Sequence, residues 1–216
     1  DAQKTTIKTS ILKPKNVVSI TPVLVDPEYT YIDLEIYFKY NPNLATVTAS
    51  GLATAIRNTI IAYNTDTLKS FGGVYRDSNV LKKIDDTNIA ILSNITRIKM
   101  TKKITPVLGT ATKYTLKFNQ ALTDLDATTS ALGSYMTSTN FTYSGVTCSL
   151  KDYYDTSSAT RIIQIIGTDG VIYGTNVGEV NEEDGTVTLN SFTPTALPTG
   201  STTIDITVKP ASSDIK

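Results

Sequence analysis

The residues that most often carry chemistry are scarce in this chain. Histidine is absent and Cys148 is the one cysteine. The commonest general acid/base and the commonest metal ligand are therefore missing. A serine, threonine or cysteine nucleophile would need a lysine or a carboxylate as its base, and no nucleophile-elbow pattern occurs. Cys148 lies in an apolar-alternating run and reads as a small buried hydrophobe. Zinc would have to be held by carboxylates alone.

Carboxylates cluster at Asp85-Asp86, at Asp124 and Asp126, and at Glu182-Glu183-Asp184. Glycoside hydrolysis needs two carboxylates facing each other across a cleft. Neighbours at a turn do not supply that, so solvated turns are expected. The run from Glu182 to Gly185 lacks the spaced ligands and terminal glutamate of a calcium loop. Gly72-Gly73 precedes no Lys-Ser/Thr pair and opens no βαβ unit, which speaks against a phosphate cradle. The expectation is a chain with no catalytic, cofactor-binding or metal-binding residues, no cofactor and no enzymatic activity.

What remains is charge placed for contacts. Arg97, Lys99, Lys102 and Lys103 form a basic set, and Arg97, Lys99 and Lys103 share one strand face. Nucleic-acid binding is not expected, because aromatics do not interleave with the set and the chain is neutral, with 20 basic and 20 acidic residues. Cross-strand pairing with Asp33 and Glu35 is the preferred reading, at roughly 0.2–1 kcal/mol per pair; a partner subunit is the other. Residues 1–104 hold 14 Lys/Arg and 9 Asp/Glu, a net +5, while residues 105–216 hold 6 and 11, a net −5. That polarity is either chance sorting of surface charge or a sign that one half docks on the other half of a neighbouring copy. Tyr31, Tyr37, Tyr153 and Tyr154 have the chemistry to stack sugars, although core or interface roles suit them better.

The elements that would position these residues follow from periodicity. Residues 17–25 read as a strand with Pro22 at an edge or bulge. Ile32, Leu34, Ile36, Phe38 and Tyr40 alternate with Tyr31, Asp33, Glu35, Tyr37 and Lys39, so a strand with one buried and one wet face is expected. Leu52, Ala55, Ile56, Thr59, Ile60 and Tyr63 form a helical stripe. Phe71-Gly72-Gly73 is a break. Asp77 or Ser78 is expected to cap a short helix carrying Val80, Leu81 and Ile84. A third strand takes Ile91, Ile95, Ile98 and Met100 as its apolar residues. The order β-β-α-α-β makes residues 1–104 an α+β domain.

After Pro106 the pattern changes to short strands between turn signals, at 114–118, 143–153, 161–166, 171–180, 186–192 and 203–208. Residues 123–139 read as a long loop with room for a helical turn. Glu183-Asp184-Gly185 suits a hairpin turn. Residues 105–216 are therefore expected to be a β-rich domain, a small sandwich or barrel. No apolar run approaches the roughly 18 residues of a membrane span, so membrane insertion is not expected. No signal peptide is evident, and Asp1 reads as a fragment boundary.

The first hundred residues resemble the baseplate wedge proteins of T-even-like contractile-tail bacteriophages, related to the wider baseplate J-like family. The resemblance runs through Val17-Val18-Ser19-Ile20-Thr21-Pro22-Val23, Tyr29-Thr30-Tyr31-Ile32-Asp33-Leu34-Glu35-Ile36 and Ile60-Ile61-Ala62-Tyr63-Asn64. It continues in Phe71-Gly72-Gly73-Val74-Tyr75-Arg76-Asp77-Ser78, Leu81-Lys82-Lys83-Ile84-Asp85, Ile89-Ala90-Ile91-Leu92-Ser93-Asn94 and Arg97-Ile98-Lys99-Met100. Val177-Gly178-Glu179-Val180-Asn181 and Asp184-Gly185-Thr186-Val187-Thr188-Leu189 are also similar to the family. The order of elements carries the resemblance; each motif alone is an ordinary strand or helix boundary.

The resemblance implies a structural virion protein of the tail baseplate, made late and assembled in the bacterial host cytoplasm. Its partners would be itself, as a homodimer, and other baseplate wedge proteins, joined into a ring around the central hub. It further implies that this chain is the C-terminal part of a longer protein. Two other classes fit parts of the sequence. A bacterial surface or adhesin-type β-module fits the Thr/Ser/Asn-rich second half but not the mixed first half. A polysaccharide-acting tail enzyme rests on the tyrosines alone.

Overall fold

A computed structural model describes residues 2–15, 23–24, 27–70, 72–125 and 133–215. It opens with a short helix, α1 (Ala2–Thr6), which runs on through a π-helical segment, Ile7–Leu12, with no buried residue in either. The strand expected at 17–25 lies for the most part outside the described residues; Val23 and Leu24 are described and belong to no strand.

Strand β1 spans Tyr31–Tyr40 and alternates between exposed and half-buried along its whole length. Helix α2 (Ala49–Tyr63) starts at Thr48, whose hydroxyl accepts the Gly51 N–H at 3.2 Å. It buries Leu52, Ile56 and Tyr63, all members of the apolar stripe. Helix α3 (Asp77–Asp85) buries Val80 and Ile84. Neither Asp77 nor Ser78 caps it. Arg76 holds the cap position without a side-chain cap bond, and the carboxylate of Asp214 accepts the Asp77 N–H from outside the helix.

Strand β2 (Ile91–Ile104) pairs antiparallel with β1, from Tyr31 opposite Thr101 to Tyr40 opposite Ile91. The two helices cover the apolar face of this pair. Ile32, Leu34, Ile36 and Phe38 pack there beside the buried Ile98 and Met100.

The second half supplies β3 (Thr112–Lys117), β4 (Leu122–Thr123), β5 (Met136–Ser138), β6 (Phe141–Tyr143) and β7 (Val146–Asp155). It continues with β8 (Thr160–Gly167), β9 (Ile172–Asn181), β10 (Thr186–Phe192) and β11 (Ile204–Pro210). The expected strands are present within a few residues of their expected ends. The loop expected over 123–139 holds β5 near its end, and residues 126–132 within it lie outside the described set. At the hairpin turn Gly185 has φ +69°, and a Cβ there would lie 2.0 Å from the Gln120 carbonyl oxygen, so only glycine fits.

The sheet order is β1-β2-β11-β5-β7-β8-β9-β10-β3, with β4 on β11 and β6 on β7. β11, from the end of the chain, lies beside β2, so one antiparallel sheet crosses residue 104. The sheet also curls on itself. The Phe141 ring of β6 meets the Phe192 ring of β10 edge-on, 5.0 Å between centroids. Both rings are buried, and with Cys148, Leu150, Ile163, Ile165 and Leu189 they form the core of the β-rich half. The class is α+β with β content dominant.

Candidate assembly interface

The helix-free face of β1, β2 and β11 gathers Tyr31, Asp33, Glu35, Tyr37, Arg97, Lys99 and Lys103 from among the residues singled out in the sequence. Alternation fixes this, because side chains two apart share a face. The register sets Glu35 opposite Arg97, Asp33 opposite Lys99, and Lys103 of β2 opposite Asp205 of β11. Asp33 and Glu35 thus stand opposite Lys99 and Arg97 in register, but their carboxylates bond elsewhere, Asp33 to Thr101 and Glu35 to Tyr37.

Contacts along this face tie it into one polar surface. Lys103 Nζ lies 2.9 Å from Asp205 Oδ2 and 5.3 Å from the Tyr31 ring centroid. The hydrogen bond to Asp205 is the main reason its ammonium titrates above the ordinary lysine range. Thr101 donates to Asp33 and shares a hydrogen bond with Thr207 at 3.0 Å. Tyr37 donates its hydroxyl to Glu35, which pushes the phenol upward, and Arg97 sits over the Tyr37 ring at 5.6 Å. Two shallow grooves meet at Lys103 and Asp205, one reaching Tyr31 and Asp33 and the other Pro198 and Ser201. Neither is an enclosed cavity of the kind that buries a small substrate.

Two residues expected here or nearby are placed differently. Ile95, expected in the apolar set of β2, is 66% exposed and opposes Tyr37 on the wet face. Its odd number puts it in phase with Arg97 and Lys99, not with Ile98 and Met100. Lys102, grouped with the basic set, points to the other face. It is buried, with its ammonium 3.2 Å from Glu28. The exposed cationic set is therefore Arg97, Lys99 and Lys103.

The carboxylate clusters are scattered. Asp86 pairs with Lys82 at 2.6 Å and Asp85 accepts from Asn94 at 2.8 Å, both at the end of α3. Glu183 and Asp184 are exposed on the β9–β10 turn, where both backbone N–H groups reach the Asn181 side chain. Asp126 lies outside the described residues, and Asp124 packs against Gly133. Cys148 is fully buried, and burial pushes its thiol upward, which makes it a poor nucleophile. Tyr153 and Tyr154 lie on β7, four strand steps from Tyr31 and Tyr37 on β1, or roughly 19 Å at the usual strand spacing. Among the described residues no group of three or more His, Cys, Asp or Glu is arranged to hold a metal, and no helix is long and apolar enough to cross a membrane.

Sequence reasoning missed one buried polar centre. Arg161 Nη1 lies 2.8 Å from Asp152 Oδ2 and donates to the Gly133 carbonyl at 2.7 Å. Asp152 Oδ1 accepts from Ser134 Oγ, the Tyr135 N–H and the Met136 N–H at 2.7–2.8 Å. The Tyr135 ring centroid is 3.7 Å from the guanidinium. Both charges are buried and fully partnered, so they anchor residues 133–136 to β7 and β8. The available signal was phase. Asp152 continues the buried series Cys148, Leu150, and Arg161 begins the series Ile163, Ile165.

Residues 28–103 match the family model described as baseplate structural protein gp6, C-terminal domain III. The matched stretch begins just before β1 and ends within β2, so it spans the whole α+β unit behind the polar face. The resemblance to baseplate wedge proteins stands over these residues, and a structural baseplate subunit in the phage virion is the role that goes with it. The similar stretch at 177–189 lies outside the match. No curated protein matches the chain.

Proposed function

We propose that this chain is a non-enzymatic subunit of a phage tail baseplate wedge, which dimerises and links neighbouring wedges into a ring around the central hub. The observation that carries the reading is the family match over residues 28–103, which coincides with the unit presenting the polar face of β1 and β2. A surface with Tyr31, Tyr37 and Ile95 among charges of both signs suits a protein partner better than a small substrate. The acidic clusters at Asp85-Asp86 and Glu182-Glu183-Asp184 lie apart, at a helix end and on a hairpin turn, which favours contact over proton transfer.

The division at residue 104 is proposed as a module boundary, since the match ends at residue 103. β11 then joins the β-rich module to the first one through β2. That arrangement suits a part that transmits load between neighbours, because a continuous hydrogen-bonded ladder resists separation. The contacts are with a second copy and with other wedge proteins, with no role for nucleic acid or membrane.

Sedimentation equilibrium at tens of micromolar and low salt tests the dimer. Dimers or larger rings are expected, weakening as salt screens the +5/−5 polarity. A monomer at every concentration contradicts the dimer. Dimers indifferent to salt replace charge steering with an apolar contact.

A further inference from the structure

Charges without an internal ion pair collect at two separate places on the surface. The first is the helix-free face, where Lys39, Arg97 and Lys99 are exposed and Lys209 is half-buried. Lys209 has the phase of Thr207, whose hydroxyl meets that of Thr101 on this face. Among the described residues none of these cations forms an ion pair. The carboxylates beside them, Asp33 and Glu35, are engaged by the hydroxyls of Thr101 and Tyr37. Lys103 and Asp205 neutralise each other. Four cations against two carboxylates leave this face at +2.

The second place is the β9–β10 turn. Glu179, Glu183 and Asp184 are exposed there and Glu182 is half-buried. None of them forms an ion pair among the described residues. Lys117 on β3 opposes Thr186 beside the turn, so four carboxylates against one cation leave it at −3. The turn is held in shape by Asn181, whose side-chain oxygen accepts the N–H groups of Glu183 and Asp184. A partner would therefore meet it at little cost in ordering. Five strand steps separate β9 from β2, roughly 24 Å along the sheet at the usual spacing. Both patches are exposed and fixed on one hydrogen-bonded sheet, so within a chain they stay apart.

We propose that the acidic β9–β10 turn of one copy docks on the cationic β1–β2 face of a second copy. This rests on the salt-sensitive self-association proposed above and assigns it two surfaces. Glu183 and Asp184 at the tip of the turn meet Arg97 and Lys99, and each supplies the counter-charge that the other lacks within its own chain. Tyr37 and Ile95, opposite each other and both more than half exposed, adjoin Arg97 and add apolar contact area. Complementary potentials orient the encounter and exclude wrong partners. The contact is head-to-tail, because the two patches differ. It therefore repeats from copy to copy and closes into a ring where the rotation allows.

The test uses the full 216-residue chain. One variant carries Arg97→Glu with Lys99→Glu, the other Glu183→Lys with Asp184→Lys. Each alone sets like charges against each other, and roughly tenfold weaker association is expected by sedimentation at low salt. An equimolar mixture should return to within about threefold of the parent, because the reversed face of one variant meets the reversed turn of the other while the two native patches also meet. Circular dichroism verifies that both variants fold. Glu183→Gln with Asp184→Asn leaves β1 and β2 untouched and should weaken association about threefold or more; it decides the matter if the reversed face does not fold. Folded variants that associate like the parent, or a mixture no tighter than its components, overturn the head-to-tail contact while leaving self-association through another surface. A parent chain that is monomeric at every concentration overturns both this and the dimer reading.

Discussion

The carboxylate of Asp214 accepts the backbone N–H of Asp77 at 3.0 Å, across 137 positions of sequence. Asp214 Oδ2 also lies 3.3 Å from Arg76 Nη1. The start of α3 thus receives its cap from the far end of the chain, and the neighbouring backbone bridge between Tyr75 and Ile215 holds the two segments together. The arrangement locks the helical layer to the segment that follows β11.

Asp214→Ala is expected to destabilise the fold by about 0.5–2 kcal/mol, the usual worth of a helix N-cap. Asp214→Asn should recover part of that, since the amide oxygen still accepts the Asp77 N–H. Thermal or urea unfolding of the three chains measures both effects. An Asp214→Ala chain as stable as the parent would show that water replaces the cap without cost.

The buried pair gives a larger effect. Arg161→Ala leaves Asp152 charged and enclosed, and a loss of roughly 3–5 kcal/mol is expected. Replacing both residues should cost less than the sum of the single changes, because neither charge is then left alone. Urea titrations of the two single variants and the double variant decide this, and simple additivity would contradict the coupling.

The two faces of β1 should respond unequally to a new charge. Ile36→Asp puts a carboxylate on the helix-covered face, with an expected cost on the order of 2–4 kcal/mol. Tyr37 is 52% exposed, so Tyr37→Asp should cost well under about 1 kcal/mol. Equal losses in paired melts would mean that the polar face is also covered in the isolated chain.

Acid should weaken the fold through identifiable carboxylates. Serine hydroxyls, Ser158 first and then Ser157, hold Asp155 below the ordinary carboxylate range. The Val171 N–H and then the Tyr173 hydroxyl do the same for Asp169. A depressed folded-state pKa gives stability that is present above the unfolded value and lost as pH falls through the folded one. Asp77 has the opposite sign, because burial, aided by the Asp214 charge, raises it. Its contribution is present at low pH and lost as pH rises through its folded value. Melts of an Asp155→Asn, Asp169→Asn double variant should therefore lose less stability than the parent between about pH 5 and pH 3. Parallel curves would contradict the assignment.

Local periodicity made β1 and α2 legible, because each has one covered face and repeats for at least three turns or five alternations. The end of β2 was harder. At Lys39/Tyr40 the register shifts so that Tyr40 opposes Ile91, and Leu92 becomes the extra, exposed residue. The shift places Ile91 inside while Ile95, of the same parity, stays outside. The cap from Asp214 was illegible because no local pattern links it to Asp77. The Asp152–Arg161 pair was partly legible, since charged residues in a buried phase require partners, but nothing named Gly133 or Ser134 as those partners. The polar face was legible as charges in phase on two strands. That Asp205 completes it depends on β11 joining β2, a pairing across about a hundred residues that alternation cannot assign.

Imaging of the assembled particle tests the baseplate role most directly. Antibody raised against this chain and coupled to gold should label purified phage tails at the baseplate end, and a reconstruction of that end should accommodate the α2–α3 layer and its curled sheet in copies arranged around the hub. Gold confined to the capsid or the host surface, or a baseplate reconstruction with no density matching the sheet, would contradict it.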